Sequence, residues 1–503
     1  MLQPVAHRRR LLIDRDRPQR CETVDLFLTI PPEVFLLLVQ YLDLNARANC
    51  ARVSRSWHKA FLPSIYDHVR VSFCDEAVIP SHDILQKHAR LIGTLTFENG
   101  KGVIDSALPT LYCPHLTTLN IRIQGARGMD NGGLLLQRHQ KTVLHVTYGR
   151  KASKDLINTL AGCPQLGRLQ LSLMPFAGLK DFISFYDQVL SRVRVLVLNS
   201  SLTIGEAVEP FELTSGPRAA LIQDLNLNDH TYEEVPGMRS AHYWLLEQCP
   251  RLVRLQWYCS NTRASLRPLV AALQVANCWD YLEVVALSYS TIDNRDLSNL
   301  LRQMVRLTEL ELRCRLLDQG AWEAIKSFPH HLKTLRVLNL SGCDHLPSSA
   351  IQDILATLWG LQVFKANRVS DKAIQEDDER PWVCLGLKEL QLQFDLFIPG
   401  TTDKILDRIS NLMELEHCRF EIFNRVPRKA TFVPFSLKLD QGMRTLRTLR
   451  KLKKLSVTGC WGESEAWWVR EAWPDLEEVW NVHADDRAQW ILYKVNFNCS
   501  RKR

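Results

Sequence analysis

Leu335-Arg336-Val337-Leu338-Asn339-Leu340-Ser341-Gly342-Cys343 places apolar residues at the first, fourth and sixth positions of a short run, followed by small residues. In an extended chain Leu338 and Leu340 point to one face, and Val337, Asn339 and Ser341 to the other. One such strand cannot bury its apolar face alone. The pattern recurs with starts at Ile92, Leu116, Leu166, Val193, Ile222, Leu252, Leu282, Leu307, Leu335, Leu361, Leu387 and Leu452, with weak members at Leu412 and Leu476, whose sixth residues are His417 and Asn481, and a degenerate start at Lys141 with Leu144 and Val146. Starts lie about 24 to 30 residues apart, except for about 40 between Leu412 and Leu452, and this period is that of a stacked strand–helix array. A doubly wound α/β domain also alternates strands and helices but demands no fixed period over so long a stretch.

Two details strengthen the periodicity. The triples at Leu166, Leu307, Leu335 and Leu387 consist wholly of Leu, and Cys113-Pro114, Cys163-Pro164 and Cys249-Pro250 each precede a start by the same spacing, with Trp473-Pro474 repeating the Pro. A Pro at that point ends the outer helix and turns the chain toward the next strand, because it lacks an N–H and clashes with a continuing helical turn. The fourteen cysteines form no C-x-x-C pair, which disfavours a zinc module or a redox motif. Cys113, Cys163, Cys249, Cys343 and Cys460 at repeat positions read as small buried residues.

Upstream of the array, Ile30-Pro31-Pro32-Glu33 marks a helix start, with Pro in the first turn and an acidic residue favoured by the helix dipole. Val34, Leu37, Leu38, Tyr41 and Leu42 form one apolar stripe; Ala46, Cys50, Val53, Trp57 and Phe61 form a second. So small a unit cannot bury both stripes against itself, so part of this surface is expected to face a partner. A helical cap closing the N-terminal end of the array is the alternative.

The arrangement of Pro31, an acidic residue, and then Val53 and Trp57 at four-residue spacing resembles the F-box, over roughly Leu28 to Val71. Cys placed eight residues after the first Leu, as at Cys343 and Cys460, resembles the cysteine-containing leucine-rich repeats found behind F-boxes. The chain is therefore similar to the F-box/leucine-rich-repeat family. That resemblance implies an α/β leucine-rich-repeat solenoid, a curved parallel sheet with outer helices, preceded by a small all-α F-box. It implies a basic tail over 1–24, an F-box-like domain over 25–71, about 15 repeats over 72–495 with an insertion near 417–447, and a basic tail over 496–503. It also implies binding to the Skp adaptor of an SCF (Skp, cullin, F-box) ubiquitin ligase, with Ile30, Pro31, Val34, Leu38, Leu42, Leu44, Cys50, Val53 and Trp57 forming the adaptor-facing and internal packing surface.

On each strand the residues between the inward leucines face the open side, and there a target protein would be held. The candidates are Arg122, Arg168, Asp224, Arg254, Tyr258, Glu309, Glu311, Arg313, Asn339, Glu389 and Gln391. Cations and anions are nearly balanced along this stripe, whereas a polyanion track needs several unopposed cations. The net charge of +8 sits mostly in the tails: residues 1–20 carry six Arg against two Asp, and Arg501-Lys502-Arg503 closes the chain. Nucleic acid is not the expected partner.

No apolar run approaches the ~20 residues that span a bilayer, and the stretch after Arg8-Arg9-Arg10 is broken by Asp14 and Arg15, unlike a secretory signal. An intracellular protein, cytoplasmic or nuclear, is expected. No phosphate-cradling, dinucleotide-binding, nucleophile-elbow or zinc-protease motif occurs, so neither enzyme activity, cofactor nor metal is expected. The expected function is substrate recognition in an SCF-type ligase; a leucine-rich scaffold or inhibitor without a ubiquitin role is the alternative. Six of the thirteen Trp fall between Trp461 and Trp490 and are expected to cap the array's end.

Overall fold

The computed structural model describes residues 30–72, 82–98, 110–122, 129–151, 154–173, 179–199, 220–229, 241–259, 266–289, 293–314, 319–376, 380–396, 401–424, 433–434, 437–492 and 495–498. The basic tail over 1–24, residues 499–503 of the tail expected over 496–503, and the basic run 425–429 of the insertion lie outside the described residues, whereas residues 496–498 form a strand rather than a tail.

Three helices open the described chain: α1 (Pro32–Tyr41), α2 (Leu44–Cys50) and α3 (Arg55–Tyr66). Each further repeat converts its leucine triple into one strand. The strands are β1 (His68–Ser72), β2 (Thr94–Glu98), β3 (Thr118–Arg122), β4 (His145–Lys151), β5 (Arg168–Leu173), β6 (Val195–Leu198), β7 (Asp224–Asp229), β8 (Arg254–Cys259) and β9 (Val284–Tyr289). They continue as β10 (Glu309–Cys314), β11 (Val337–Leu340), β12 (Val363–Ser370), β13 (Glu389–Leu396), β14 (His417–Asn424), β15 (Val433–Pro434), β16 (Lys454–Trp461), β17 (Glu478–Ala484) and β18 (Asn496–Asn498). All join one 18-stranded sheet in which, β15 aside, each strand pairs with the next along the chain. Pairing is parallel except at β15, a two-residue strand antiparallel to the end of β14, beyond which β14 pairs directly with β16. The sheet begins at His68 and ends at Asn498, so strands stand on either side of the 72–495 span read from the sequence.

Register explains the leucines. Leu310, Leu338, Phe364 and Leu390 pair across consecutive strands and are each at most 1% exposed, so positions 4 and 6 form a continuous buried ladder. Each fully buried Leu contributes roughly 1.5–3 kcal/mol relative to exposure, realised only when the neighbouring repeat is present. Positions 3, 5 and 7 alternate outward, as in the burial of β2, β3 and β10. Helices fill the other face, for example Arg267–Ala276, Asn294–Gln303, Ser348–Leu355 and Thr401–Ser410. A helix is about 10 Å wide and strands are about 4.8 Å apart, so stacking one helix per strand bends the sheet with its strand face inward. This is a leucine-rich-repeat solenoid.

Two repeat starts differ from the sequence reading. The pair Glu389↔His417 places His417 at position 3, so that repeat begins at Leu415, with Cys418 and Phe420 completing the triple, rather than at Leu412. Leu412 is buried instead in the pre-strand turn, three residues before the start, where Cys113, Cys163, Cys249 and Cys384 sit in their repeats. Likewise Thr118↔His145 makes Val143, Val146 and Tyr148 the inward triple; Lys141 is exposed and Leu144 half-buried.

Helices end where the sequence marked them: Lys154–Ala161, Ala241–Glu247 and Glu463–Ala472 stop within two residues of Cys163-Pro164, Cys249-Pro250 and Trp473-Pro474. Cys343, in the turn after the end of β11 at Leu340, is buried and its thiol donates to the Leu312 carbonyl at 3.1 Å, but Cys460 still lies on β16, which runs to Trp461, and is exposed. The basic stretch from Arg444, whose alternating cations and leucines in the sequence suggest a solvated outer helix, is not an α-helix. It forms a 3-10 helix, Met443–Thr448, that buries Met443 and Leu446 and follows Gly442 at φ 93°, a backbone conformation suited to glycine. Arg450 donates to the Glu471 carbonyl at 2.8 Å, capping the next helix. Of the terminal tryptophans, Trp461 and Trp473 are buried, donating at 3.1 Å to the Leu437 and Leu446 carbonyls, while Trp467 and Trp490 are exposed and Trp480 lies half-buried on the strand face. Capping therefore accounts for only part of the cluster.

Candidate interaction surfaces

The helical unit is held by a small core and local caps. Pro31 precedes α1 and Pro32 occupies its first turn; Asp43 accepts the Ala46 N–H at 2.7 Å to cap α2, and Ser54 accepts the Trp57 N–H at 3.2 Å to cap α3. Val39, Ala51 and Phe61 form its buried centre, with Phe35, Leu42, Cys50, Trp57 and Ile65 packed against them. The Phe35 and Phe61 rings meet edge to face at 5.0 Å. Arg47 ties the three helices together, its Nε donating to the Leu42 carbonyl at 2.8 Å and Nη1 to the Ser64 carbonyl at 3.2 Å.

The unit joins the array without a linker. Tyr66, the last residue of α3, stacks on His88 at 4.1 Å, and the Asp67 carbonyl accepts from Gly93 and Thr94 at 3.1 and 2.8 Å. What this arrangement leaves outside is apolar. Val34, Leu36, Leu37, Leu38 and Tyr41 of α1, Leu44 at the start of α2, and Val53 before α3 are all exposed, from 42% at Leu38 to 87% at Tyr41. The stripe read from the sequence is thus mostly the outward one, and the inward stripe is Phe35, Val39 and Leu42. Among the sequence-read adaptor residues, Pro31, Val34, Leu38, Leu44 and Val53 are exposed, whereas Ile30, Leu42, Cys50 and Trp57 are half-buried. Leu37 and Tyr41 belong to the same open face, and Leu36 is exposed on another side of the helix. Contiguous exposed apolar side chains of this kind mark a protein-binding surface.

On the strand face the candidate residues are gathered into local groups. Asp224 and Arg254 approach to 4.0 Å across β7 and β8; burial raises the Asp224 pKa, opposed by Arg254 and Arg168. Arg313 Nε donates to Glu311 at 2.6 Å, and its guanidinium lies 5.8 Å from the Tyr258 ring centre, two strands away across Ser288. Glu389 pairs with Lys365 at 2.7 Å, with Gln391 two residues along. Arg122 lies 3.8 Å from Glu98. Asn339 is occupied locally, accepting from the Ser341 N–H and hydroxyl at 3.1 and 2.8 Å. Arg168 is exposed and joins the first group only through its charge on Asp224, while Glu309 is half-exposed and outside these groups.

A cavity of about 640 Å³ opens on this face across β12, β13, β14, β16 and β17. Glu389 and Gln391 contribute to it, as does Ser456, which the sequence also places on the open side at position 5 of its repeat, but Lys365, Arg419, Trp480 and Asn481 were not among the sequence candidates. Their signal was the position-5 row, Lys365, Gln391, Arg419, Ser456 and Trp480, which register brings side by side. Among the described residues no group of three His, Cys, Asp or Glu is placed to hold a metal ion, and no helix is long and apolar enough to cross a membrane.

No curated protein matches the chain. Among solved structures it is similar to an internalin of Listeria monocytogenes, at 11% identity over 83% of this chain and 89% of that one, with a TM-score of 0.35. It is also similar to TLR13 in complex with ssRNA13, at 15% identity over 82% of this chain, with a TM-score of 0.46; the match spans 57% of that chain. The repeat architecture rests on this chain's own strand register. Residues 27–72 match the F-box-like family model, and the chain is therefore an F-box-like domain joined directly to a leucine-rich-repeat array.

Proposed function

We propose that this protein is the substrate-recognition subunit of an SCF-type ubiquitin ligase, its helical unit docking on the Skp adaptor and its strand face holding a protein target. The observation that carries the reading is the open apolar face of α1 and its neighbours, Val34, Leu37, Leu38, Tyr41, Leu44 and Val53, on a domain matching the F-box-like family. Exposure of this many large apolar side chains in water is unfavourable by roughly 25 cal/mol per Å², which a partner surface would recover. The array needs no catalytic group: holding a target beside a ligase raises its effective concentration, and the chemistry is done elsewhere in the assembly. The nearly balanced charges of the strand face fit a protein target, and we place the assembly inside the cell.

The test is co-purification of the full chain with the Skp adaptor. Pro31→Ala combined with Leu38→Ala should abolish adaptor recovery while the circular dichroism of the array is unchanged. Undiminished recovery would reject the reading, and binding of a target without adaptor association would favour a scaffold.

A further inference from the structure

The cavity on the C-terminal part of the strand face has a built charge arrangement. Two of its lysines are already matched, Lys365 by Glu389 at 2.7 Å and Lys454 by Glu478 at 3.3 Å. Arg419, on the strand between them, is exposed and has no carboxylate partner among the described residues. Register places Arg419 opposite Ser456 and Ser456 opposite Trp480, so the guanidinium and the indole rise two strands apart, about 10 Å, with a small residue between. Ser456 is 3% exposed and forms the floor, its hydroxyl accepting from Asn481 Nδ2 at 3.2 Å. The register shift between Ser456 and Gly459 is matched by Asn481 at φ 63°, in the left-handed region, beside Trp480 on the cavity wall.

We infer that this cavity is a recognition pocket for a carboxylate carried next to an aromatic or apolar side chain in a target protein. A planar guanidinium binds a carboxylate through two parallel charge-assisted hydrogen bonds, and one unmatched cation balances one monoanion. The indole offers a flat face for the neighbouring ring. A volume of about 640 Å³ lies within the range of specific ligand clefts and suits two side chains rather than a folded surface. A phosphate dianion would leave charge uncompensated, because Lys365 and Lys454 are committed to their own carboxylates. The inference rests on the strand face being the target-binding surface, and it adds the chemistry of what is held.

The experiment uses the full chain labelled with 5-fluorotryptophan, the Trp480 resonance being assigned through Trp480→Phe. The probes are N-acetyl-phenylalanyl-aspartate amide, its asparagine analogue, N-acetyl-phenylalanyl-phenylalanine with a free C-terminus, and phenyl phosphate. The expected result is a saturable shift of the Trp480 resonance with either or both carboxylate peptides, and affinity reduced about tenfold or more in Arg419→Gln with partial recovery in Arg419→Lys. Binding of the aspartate peptide alone assigns a side-chain carboxylate; binding of the free C-terminus alone assigns a chain end. Equal binding of the asparagine analogue, preference for phenyl phosphate, or no shift with any carboxylate would overturn the inference. Adaptor co-purification of the same sample separates the two claims: retained adaptor with no probe binding removes only the pocket.

Discussion

Val39 and Tyr41 stand two residues apart on α1 and on opposite sides of it, one 8% exposed in the helical core and the other 87% exposed. On the proposed function, this separates folding from docking along one helix. Phe61→Ala, which removes the centre of the small core, should destabilise the helical unit by about 3–5 kcal/mol, and Val39→Ala should cost less but be detectable. Tyr41→Ala and Leu37→Ala should change stability by under about 0.5 kcal/mol while weakening adaptor capture. Hydrogen exchange on α1 and adaptor titration of the full chain distinguish the two sets. A Tyr41→Ala protein that loses protection across α3 would contradict the assignment of this side as external.

The sequence carried the repeat well and the facing of its residues less well, for identifiable reasons. Strand positions followed directly from the triples at Leu335, Leu387 and Leu452, whose fourth and sixth residues are all apolar and all buried. At Leu412 two registers three residues apart both begin with Leu; the first has His417 at its sixth position and the second has Cys418 and Phe420, and the strand pairing shows that Leu412 fills a turn and Leu415 opens the triple. On α1 nearly every residue is apolar, so two stripes were available and nothing local says which turns inward. The cavity was hidden for a different reason. Arg419, Ser456 and Trp480 become neighbours only once three strands, distant along the chain, are stacked in register.

Gly342, in the turn after β11, shows how closely consecutive repeats approach. A Cβ there would lie 2.9 Å from Arg313 Cβ and 3.0 Å from its Cα, so the backbones themselves would have to part. Gly342→Ala should therefore cost about 1–3 kcal/mol, as overpacking does. Gly167 provides the contrast, since an added Cβ there meets nothing within 4 Å. Gly167→Ala should be neutral or stabilise by about 0.4–1 kcal/mol through the unfolded chain. Urea midpoints of the two variants should move in opposite directions or, at the least, differ clearly.

His331 makes the array sensitive to acid. It is fully buried, its Nε2 sits 3.0 Å from the Leu301 carbonyl, and burial, opposed by that hydrogen bond, brings its pKa down to about 4. His139, also lowered by burial, bridges Leu135 and Cys113 in the same neutral form. The unfolded chain takes up a proton near pH 6.5 that the native His331 refuses until about pH 4, so stability is full above about 6.5 and falls on acidification through that window. Each such group contributes up to about 1.4 kcal/mol per pH unit there. His331→Gln keeps a donor for Leu301 and cannot titrate. Its denaturant midpoint should fall less between pH 7 and pH 4.5 than that of the parent, and equal losses would show that His331 is not the titrating group.

Thiol reactivity should divide the cysteines by burial. Burial pushes the Cys113, Cys278, Cys343 and Cys384 thiols up to about 12 and Cys163 up to about 11, so almost no thiolate, the nucleophilic form, exists at neutral pH. Cys249 and Cys418 are raised for the same reason. Cys460, on β16, is exposed. Iodoacetamide at pH 7.5 should label Cys460 in the native chain and leave those seven untouched until denaturant is added, as peptide mass spectrometry would read. Labelling of Cys343 at the rate of Cys460 would mean that the turn after β11 opens readily, and Gly342→Ala should then have little effect on stability.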